Sequence, residues 1–503
     1  MVQVKGMEPR DYQQRILQTL RGRNTLVCLP TGLGKTNIAI LLAAERLQAF
    51  PGSQALVLAP TKPLAAQHLQ AFRAFLDLPP EAFALITGAI PPKARKEQYR
   101  ATIIFATPQT VQKDLEAGRV SLDRVSLLVI DELHHGVGKY PYPAIAQRYL
   151  ATAGNARVLG LTASPGSNRE KIKDICRNAG IDAVEIATEA DPDVRPYVKD
   201  RSVAWVEVEL PDAFLAVRAF MDEAYKRRTR RLGVKTRKQL LWLQQQLQGR
   251  IRAGNRGAFA LASLVSQAIK LEHAVGLLET QSIGSVYRYF QRLQEDQTRA
   301  AKILLADRDI VRALALLADL HAQGARHPKM GKLCALLQQQ FQDRPGSRVI
   351  VFANYRDMVR EVAEVVSRLE GCRPAVLIGQ KEGITQKKQL AVLQAYRDGA
   401  ANCLITTSIG EEGLHLEEAD LAIFYEAVPS EIRSIQRRGR VGRGRAGAVM
   451  MLVTKGTRDE AFRWSAARKE RSMRSALEGF QKKERMDDTD LARYLSKKRN
   501  LYK

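Results

Sequence analysis

The stretch TLVCLPTGLGKT, residues 25–36, decides the fold. A short apolar β-rich run meets a Pro-Thr-Gly-Leu-Gly-Lys-Thr loop, and a helical pattern follows it. This is the strand, loop, helix order that a phosphate-binding loop requires. Small residues there (Thr31, Gly32, Gly34) let backbone N–H groups approach phosphates at a helix N-terminus. Lys35 supplies positive charge to the β and γ phosphates, and the Thr36 hydroxyl is placed to ligate Mg²⁺. The strict eight-residue signature is missed at its first position, where Leu29 stands instead of glycine.

Outward from this loop, apolar runs alternate with helical segments: QALVLAP (54–60), ATIIFAT (101–107), SLLVIDE (126–132) and RVLGLTA (157–163). Continuous apolar strands between helices predict a parallel sheet covered on both faces. The rhythm returns in SRVIVFANY (347–355), RPAVLIG (373–379), NCLITTS (402–408), LAIFYEA (421–427) and AGAVMMLVT (446–454). Between them, from about 212 to 325, Leu, Ala, Gln and Arg dominate, with Leu240, Leu243 and Leu247 at helical spacing. The expected fold class is therefore α/β, two parallel-sheet domains separated by a helical insertion. The expected boundaries are 1–204, 205–325, 326–475 and a basic helix or tail over 476–503.

A chain of 503 residues is too long for one core and suggests about three domains. With 45% hydrophobic and 26% charged residues the composition is that of a globular chain. No apolar run reaches membrane-spanning length and the amino terminus lacks a signal-peptide pattern, so a cytoplasmic, nucleoid-associated protein is expected. The five cysteines lie far apart with no C-x-x-C pair and read as small buried hydrophobes. The net charge of +26 points to a polyanion, with nucleic acid the leading candidate.

A second constellation, Asp131-Glu132-Leu133-His134, ends another apolar strand. A carboxylate beside a phosphate loop can hold Mg²⁺ and a second can activate water, so Asp131 is expected as the metal residue and Glu132 as the base. His134 and His135 lack a third ligand at suitable spacing, which favours a coupling or structural role over a metal site. The third constellation, QRRGRVGR (436–443), offers arginines that a facing domain could bring to a transferring phosphoryl group.

On these residues the chain resembles superfamily 2 helicases of the DExH group, and within them the Hef/FANCM branch. The matching pieces include Arg10–Gln13, PTGLGKT, APTKPLAAQH (59–68), ATPQT (106–110), DELH, LTASPG (161–166), DPDVRPYV (191–198), HPKM (327–330), TTSIGEEGL (406–414), the arginine motif and GTRDEAFRWSAARKE (456–470). The resemblance implies two RecA-like domains with ATP and Mg²⁺ in the cleft between them. It assigns Gln13 to adenine, Gln436 to the nucleotide side, Arg440 and Arg443 to the γ-phosphate, and Thr162–Ser164 to coupling. Thr61, Lys62, Thr107, Gln380 and Thr406 would line the nucleic-acid backbone. Leu133 and Val441 depart from the family's usual residues, and Val441 lacks the hydroxyl its relatives use. Many Hef proteins continue into a nuclease; no E-R-K-x-x-x-D signature is present, which reads as a helicase-only member or a truncated form.

Three functions remain open on this reading. The first is an ATP-dependent 3′–5′ helicase or translocase on forked or Holliday-type DNA in repair and recombination, with a nuclease or clamp as partner. The others are a double-stranded RNA-dependent ATPase of the RIG-I-like kind, and a non-catalytic nucleic-acid scaffold. The window 226–256 holds eleven Lys and Arg and no acid, so Arg227, Arg228, Arg230 and Arg231 are expected to grip a second DNA arm.

Overall fold

A computed structural model describes residues 2–30, 32–163, 166, 169–188, 191–197, 202–255, 257–379, 385–407, 419–426, 448–465, 468, 471, 472 and 475. Seven strands form the first sheet: β1 (Thr25–Cys28), β2 (Gln54–Leu58), β3 (Phe83–Ile86), β4 (Ile103–Ala106), β5 (Val125–Ile130), β6 (Val158–Thr162) and β7 (Ala183–Ile186). Their order is β3-β4-β2-β5-β6-β1-β7, and every pairing is parallel. Alternate residues serve two cores, as in β5, where Leu127 and Val129 pack on one side and Leu128 and Ile130 on the other. Burial of both faces is why these strands read as unbroken apolar runs.

The second sheet is built from β8 (Ser202–Val208), β9 (Val349–Phe352), β10 (Pro374–Leu377), β11 (Cys403–Thr406), β12 (Leu421–Phe424) and β13 (Ala448–Thr454), in the order β10-β11-β9-β12-β13-β8. Its strands are also all parallel. Here the expected boundary at residue 204 needs correction. It falls inside β8, which pairs with β13 from Ser202 to Val208 and so belongs wholly to the second sheet. Three strands were not separated in the sequence, β3, β7 and β8. All three sit at sheet edges, where burial is incomplete and the apolar run is weaker.

Six helices make the insertion among the described residues: Asp212–Leu232, Arg237–Arg252, Ala258–Thr280, Ile283–Glu295, Arg299–Leu305 and Arg308–Ala322. One core joins Phe214, Met221, Leu271, Leu278, Phe290 and Leu317; a smaller one joins Leu240, Leu247, Ala258, Val265 and Ala268. Among the described residues no helix is long and apolar enough to cross a membrane. The cysteines are all free; Cys28, Cys372 and Cys403 are buried as expected, whereas Cys176 and Cys334 are only half-buried.

Candidate active site

Strands β5, β6 and β1 are neighbours, and their carboxyl ends carry the first-domain motifs side by side. Ligand sites of open parallel sheets form at such strand ends. Leu29 continues β1 by donating its N–H to the Thr162 carbonyl at 3.1 Å. Its side chain is fully buried in the first core while its carbonyl accepts from Lys35 Nζ at 3.0 Å. The residue therefore does not face the inside of the loop, which explains why a leucine is tolerated where the signature has glycine.

Gly34 starts the helix Lys35–Ala49 in the left-handed region, at φ 72° and ψ 38°. The positive φ requires glycine, and a Cβ there would come within 2.5 Å of Gln13 Nε2 and displace that amide. Gln13 is buried; its Oε1 accepts from the Arg10 N–H at 3.1 Å and its Nε2 approaches the Gly34 carbonyl at 3.5 Å. Beside it the Tyr12 hydroxyl donates to the Leu33 carbonyl at 2.7 Å, a brace for the loop that sequence reasoning missed. Gly32 also has positive φ, and Thr36 lies in the first turn of the helix, half-buried. Thr31 lies outside the described residues.

Asp131 is buried at the end of β5, its N–H donating to the Leu58 carbonyl and its own carbonyl accepting from Tyr142 Oη at 2.7 Å. Its Oδ2 is 2.8 Å from His68 Nε2, and its Oδ1 accepts the Glu132 N–H at 3.0 Å. Burial acts to raise its pKa, but His68, the Lys35 ammonium and the Glu132 N–H outweigh it and hold the carboxyl below its usual range. Glu132 has φ 49° and ψ 48°, and it is the one non-glycine residue with positive φ among those described. Strain of this kind persists where the surroundings over-determine the backbone, as they do at functional sites. Its Oε2 lies 3.2 Å from His134 Nδ1 without a well-formed hydrogen bond, and His134 Nδ1 is also 3.2 Å from Thr162 Oγ1. One imidazole thus touches the ends of β5 and β6. His135 is half-buried against the Tyr140 ring, and burial with the neighbouring His134 lowers its pKa to about 4. Among the described residues no group of three potential ligands forms a metal site through these histidines.

Thr61 caps the helix Lys62–Phe75 by accepting the Leu64 N–H, Lys62 is exposed, and Thr107 precedes the helix Pro108–Glu116 with its Oγ1 2.9 Å from Thr110 Oγ1. Thr406 is fully buried in β11 and its Oγ1 donates to the Thr407 carbonyl at 3.1 Å. Gln380, Gln436, Arg440 and Arg443 lie outside the described residues.

The four insertion arginines separate into two pairs. Arg228 is buried, with its Nε bonded to Gln267 Oε1 at 2.9 Å and its Nη1 to Asp307 Oδ2 at 2.9 Å. Arg227 bonds Asp307 at 2.8 Å and also pairs with Asp309. Although the window 226–256 itself holds no acid, these two cations are met by carboxylates from outside it. Their carboxylates come from the N-terminus of the helix Arg308–Ala322, about 80 residues downstream. Arg230 and Arg231 are exposed, and no described carboxylate lies within ion-pair distance of either.

Residues 10–172 match the DEAD/DEAH box helicase family, 225–324 a family described as a putative ATP-dependent RNA helicase helical bundle, and 328–445 the helicase conserved C-terminal domain. The structure of the Pyrococcus furiosus Hef helicase domain is 41% identical with TM-score 0.71, covering 91% of this chain and 98% of that one. The chain belongs to the Hef/FANCM family of superfamily 2 helicases. A putative ATP-dependent RNA helicase of Methanocaldococcus jannaschii is 36% identical over 95% of this chain and 62% of its own length. The ATP-dependent DNA helicase mph1 of Neurospora crassa is 32% identical over 90% and 41%, and the Fanconi anemia group M protein of Gallus gallus 30% over 93% and 26%. This family chain thus spans from about a quarter to three fifths of these relatives.

In this Hef/FANCM-family chain the HPKM and GTRDEAF motifs prove to join the insertion to the second domain. Lys329 and Asp459 are both fully buried and pair directly. His327 Nε2 reaches the Glu279 carbonyl at 3.2 Å, and its Nδ1 caps the helix Pro328–Asp343 by accepting the Lys329 N–H. Glu279 also receives Arg218 at 3.0 Å and Arg458 at 3.6 Å, although its burial outweighs both cations and raises its pKa. Gln281 Nε2 donates to the buried Glu426 at 2.6 Å. The insertion is fastened to the second sheet through polar groups that sequence reasoning used only as markers.

Proposed function

We propose that this chain is an ATP-dependent DNA helicase or translocase acting on forks and four-way junctions, moving 3′ to 5′ along one strand in fork repair and recombination. The observation that carries the reading is the bridge from Glu132 through His134 to Thr162, beside Asp131 and Lys35. ATP phosphates fit over the Lys35 helix N-terminus, where Lys35 exchanges the Leu29 carbonyl for phosphate oxygens. The buried anionic Asp131 and the Thr36 hydroxyl suit a divalent ion, and magnesium held there would neutralise charge on the β and γ phosphates. The buried Oε2 of Glu132, which makes no well-formed hydrogen bond among the described residues and only the 3.2 Å contact to His134, suits a base that takes a proton from the attacking water. Arg440 and Arg443, with Gln436, are the second domain's contribution. Because His134 contacts both the base and β6, a change at the phosphates reaches the segment leading into LTASPG, which is the coupling a motor needs.

Likeness to the Hef helicase domain and the charge of +26 support DNA as the track, and the Methanocaldococcus relative, named as an RNA helicase, keeps duplex RNA as a second reading. Turnover measured with single-stranded, duplex, forked and four-way DNA and with duplex RNA tests the proposal. Strongest stimulation by branched DNA is expected. Equal or greater stimulation by duplex RNA overturns it, and binding without turnover on any substrate would leave a scaffold.

A further inference from the structure

We infer that Trp242 is a stacking platform for a nucleobase left open at the branch point of bound DNA, set on a cationic face of the insertion. The inference deepens the branched-DNA reading and rests on it. Residues 224–271 contain no Asp or Glu and twelve Lys and Arg. Within them the helix Arg237–Arg252, capped by Thr236 Oγ1 on the Gln239 N–H, turns Leu240 and Leu247 into the smaller core. At 100° per residue Trp242 stands about 200° around from Leu240, on the opposite face. It is 61% exposed, and Leu241 beside it is 41% exposed.

A tryptophan left in water forgoes the large burial that makes the residue useful in a core, and with Leu241 exposed beside it this apolar surface on a cationic face suits an external partner. The surroundings say which kind. Lys238 lies one turn before it, and Arg250 and Arg252 flank the face about two and three turns on; all three are exposed. Gly249, on the same face, has open space where its Cβ would be, so no packing explains a residue that costs a helix interior about 1 kcal/mol. Its bare backbone leaves room for a sugar or base edge. A polyanion that also offers flat aromatic faces satisfies the cations and the indole together, and DNA does both. A continuous duplex hides its base faces, whereas a branch exposes them. The indole therefore discriminates branched from unbroken DNA, while the cations bind either.

The test uses the full chain, with forked DNA carrying 2-aminopurine at the branch and with duplex and single strands of the same length. Binding is read by anisotropy, stacking by 2-aminopurine fluorescence, and folding by thermal melting. Trp242→Ala should melt as the wild type does, bind the fork roughly ten-fold more weakly, lose the change in 2-aminopurine signal and keep its salt slope. Trp242→Phe should restore much of both signals. Lys238→Gln should instead flatten the log–log salt slope by about 0.9 with the fluorescence change intact. Unchanged fork affinity in Trp242→Ala, or an equal loss on every substrate, overturns the platform while leaving the branched-DNA function standing. A wild-type chain with no preference for forks overturns both. A change of oligomeric state in Trp242→Ala at unchanged fork affinity would assign the face to protein contact and overturn the inference.

Discussion

The imidazole of His68 is held 2.8 Å from the Oδ2 of Asp131, with both side chains buried. Among the described residues His68 Nδ1 has no hydrogen-bond partner, and the bond from Nε2 orients this carboxylate. Groups that orient a metal-binding carboxylate change metal affinity or activity by about 10–100-fold when removed. His68→Ala should raise the Mg²⁺ needed for half-maximal ATP turnover within that range, and His68→Gln should recover part of it. An unaltered Mg²⁺ titration in His68→Ala would reduce the residue to packing.

Lys35→Ala and Glu132→Gln should each abolish steady-state ATP hydrolysis and leave DNA binding largely intact, because the phosphate site and the backbone grip use different residues. Glu132→Gln keeps the side chain's size at a strained position and removes only its basicity, so bound ATP should accumulate. Single-turnover and filter-binding measurements separate the two effects; hydrolysis near the wild-type rate in either variant removes the assignment.

Most of the fold was legible because strands buried on both faces leave unbroken apolar runs, as in TLVC and SLLVI. The edge strands β3, β7 and β8 were not, and β8 misled the boundary because nothing local says which sheet a strand will join. That Lys35, Asp131 and Glu132 gather at the carboxyl ends of one sheet was legible from motif order. The partners that set their geometry were not: His68, Tyr12 and Tyr142 act across sequence separations of 63, 21 and 11 residues. The arginine window misled for the same reason, since a local absence of acids says nothing about Asp307.

The Lys329–Asp459 pair is fully buried, and breaking such a pair by removing one partner costs about 3–5 kcal/mol through the charge left behind. Lys329→Met and Asp459→Leu should each lower the melting temperature sharply. The double variant, with no orphaned charge, should recover most of the loss. Additive single effects in a double-mutant cycle would show that the pair does not couple.

His327 is held neutral: burial foremost, then the nearby Lys329, lower its pKa to about 3 against an ordinary value near 6.5. Below pH 6.5 the unfolded chain takes up a proton that the folded joint refuses. Stability is thus unaffected above about 6.5 and is lost progressively as pH falls toward 3, by on the order of a few kcal/mol in total. Denaturant titrations from pH 7.5 to 5 should show this slope. His327→Asn, which can still cap the helix, should be less stable at neutral pH and show a shallower decline; an identical pH slope would exonerate His327.

The arginine pairs of the first insertion helix should answer differently to the same chemical change. Arg228 is buried on Gln267 and Asp307, so Arg228→Gln removes a buried donor from Gln267 and one of two cations from the half-buried Asp307, and should destabilise the insertion by about 1–3 kcal/mol. Arg227 shares that carboxylate from an exposed position, and its loss should cost less, about 1 kcal/mol or below. Arg230 and Arg231 hold no described carboxylate, so Arg230→Gln with Arg231→Gln should leave melting unchanged. If each contacts a phosphate of the second arm, the double change should flatten the log–log salt dependence of fork binding by about 0.9 per contact. Melting curves and salt titrations on the two double variants decide the matter. A flattened slope only in the Arg227, Arg228 pair would reverse the assignment, and no change of slope in either would move the second DNA arm elsewhere on the basic surface.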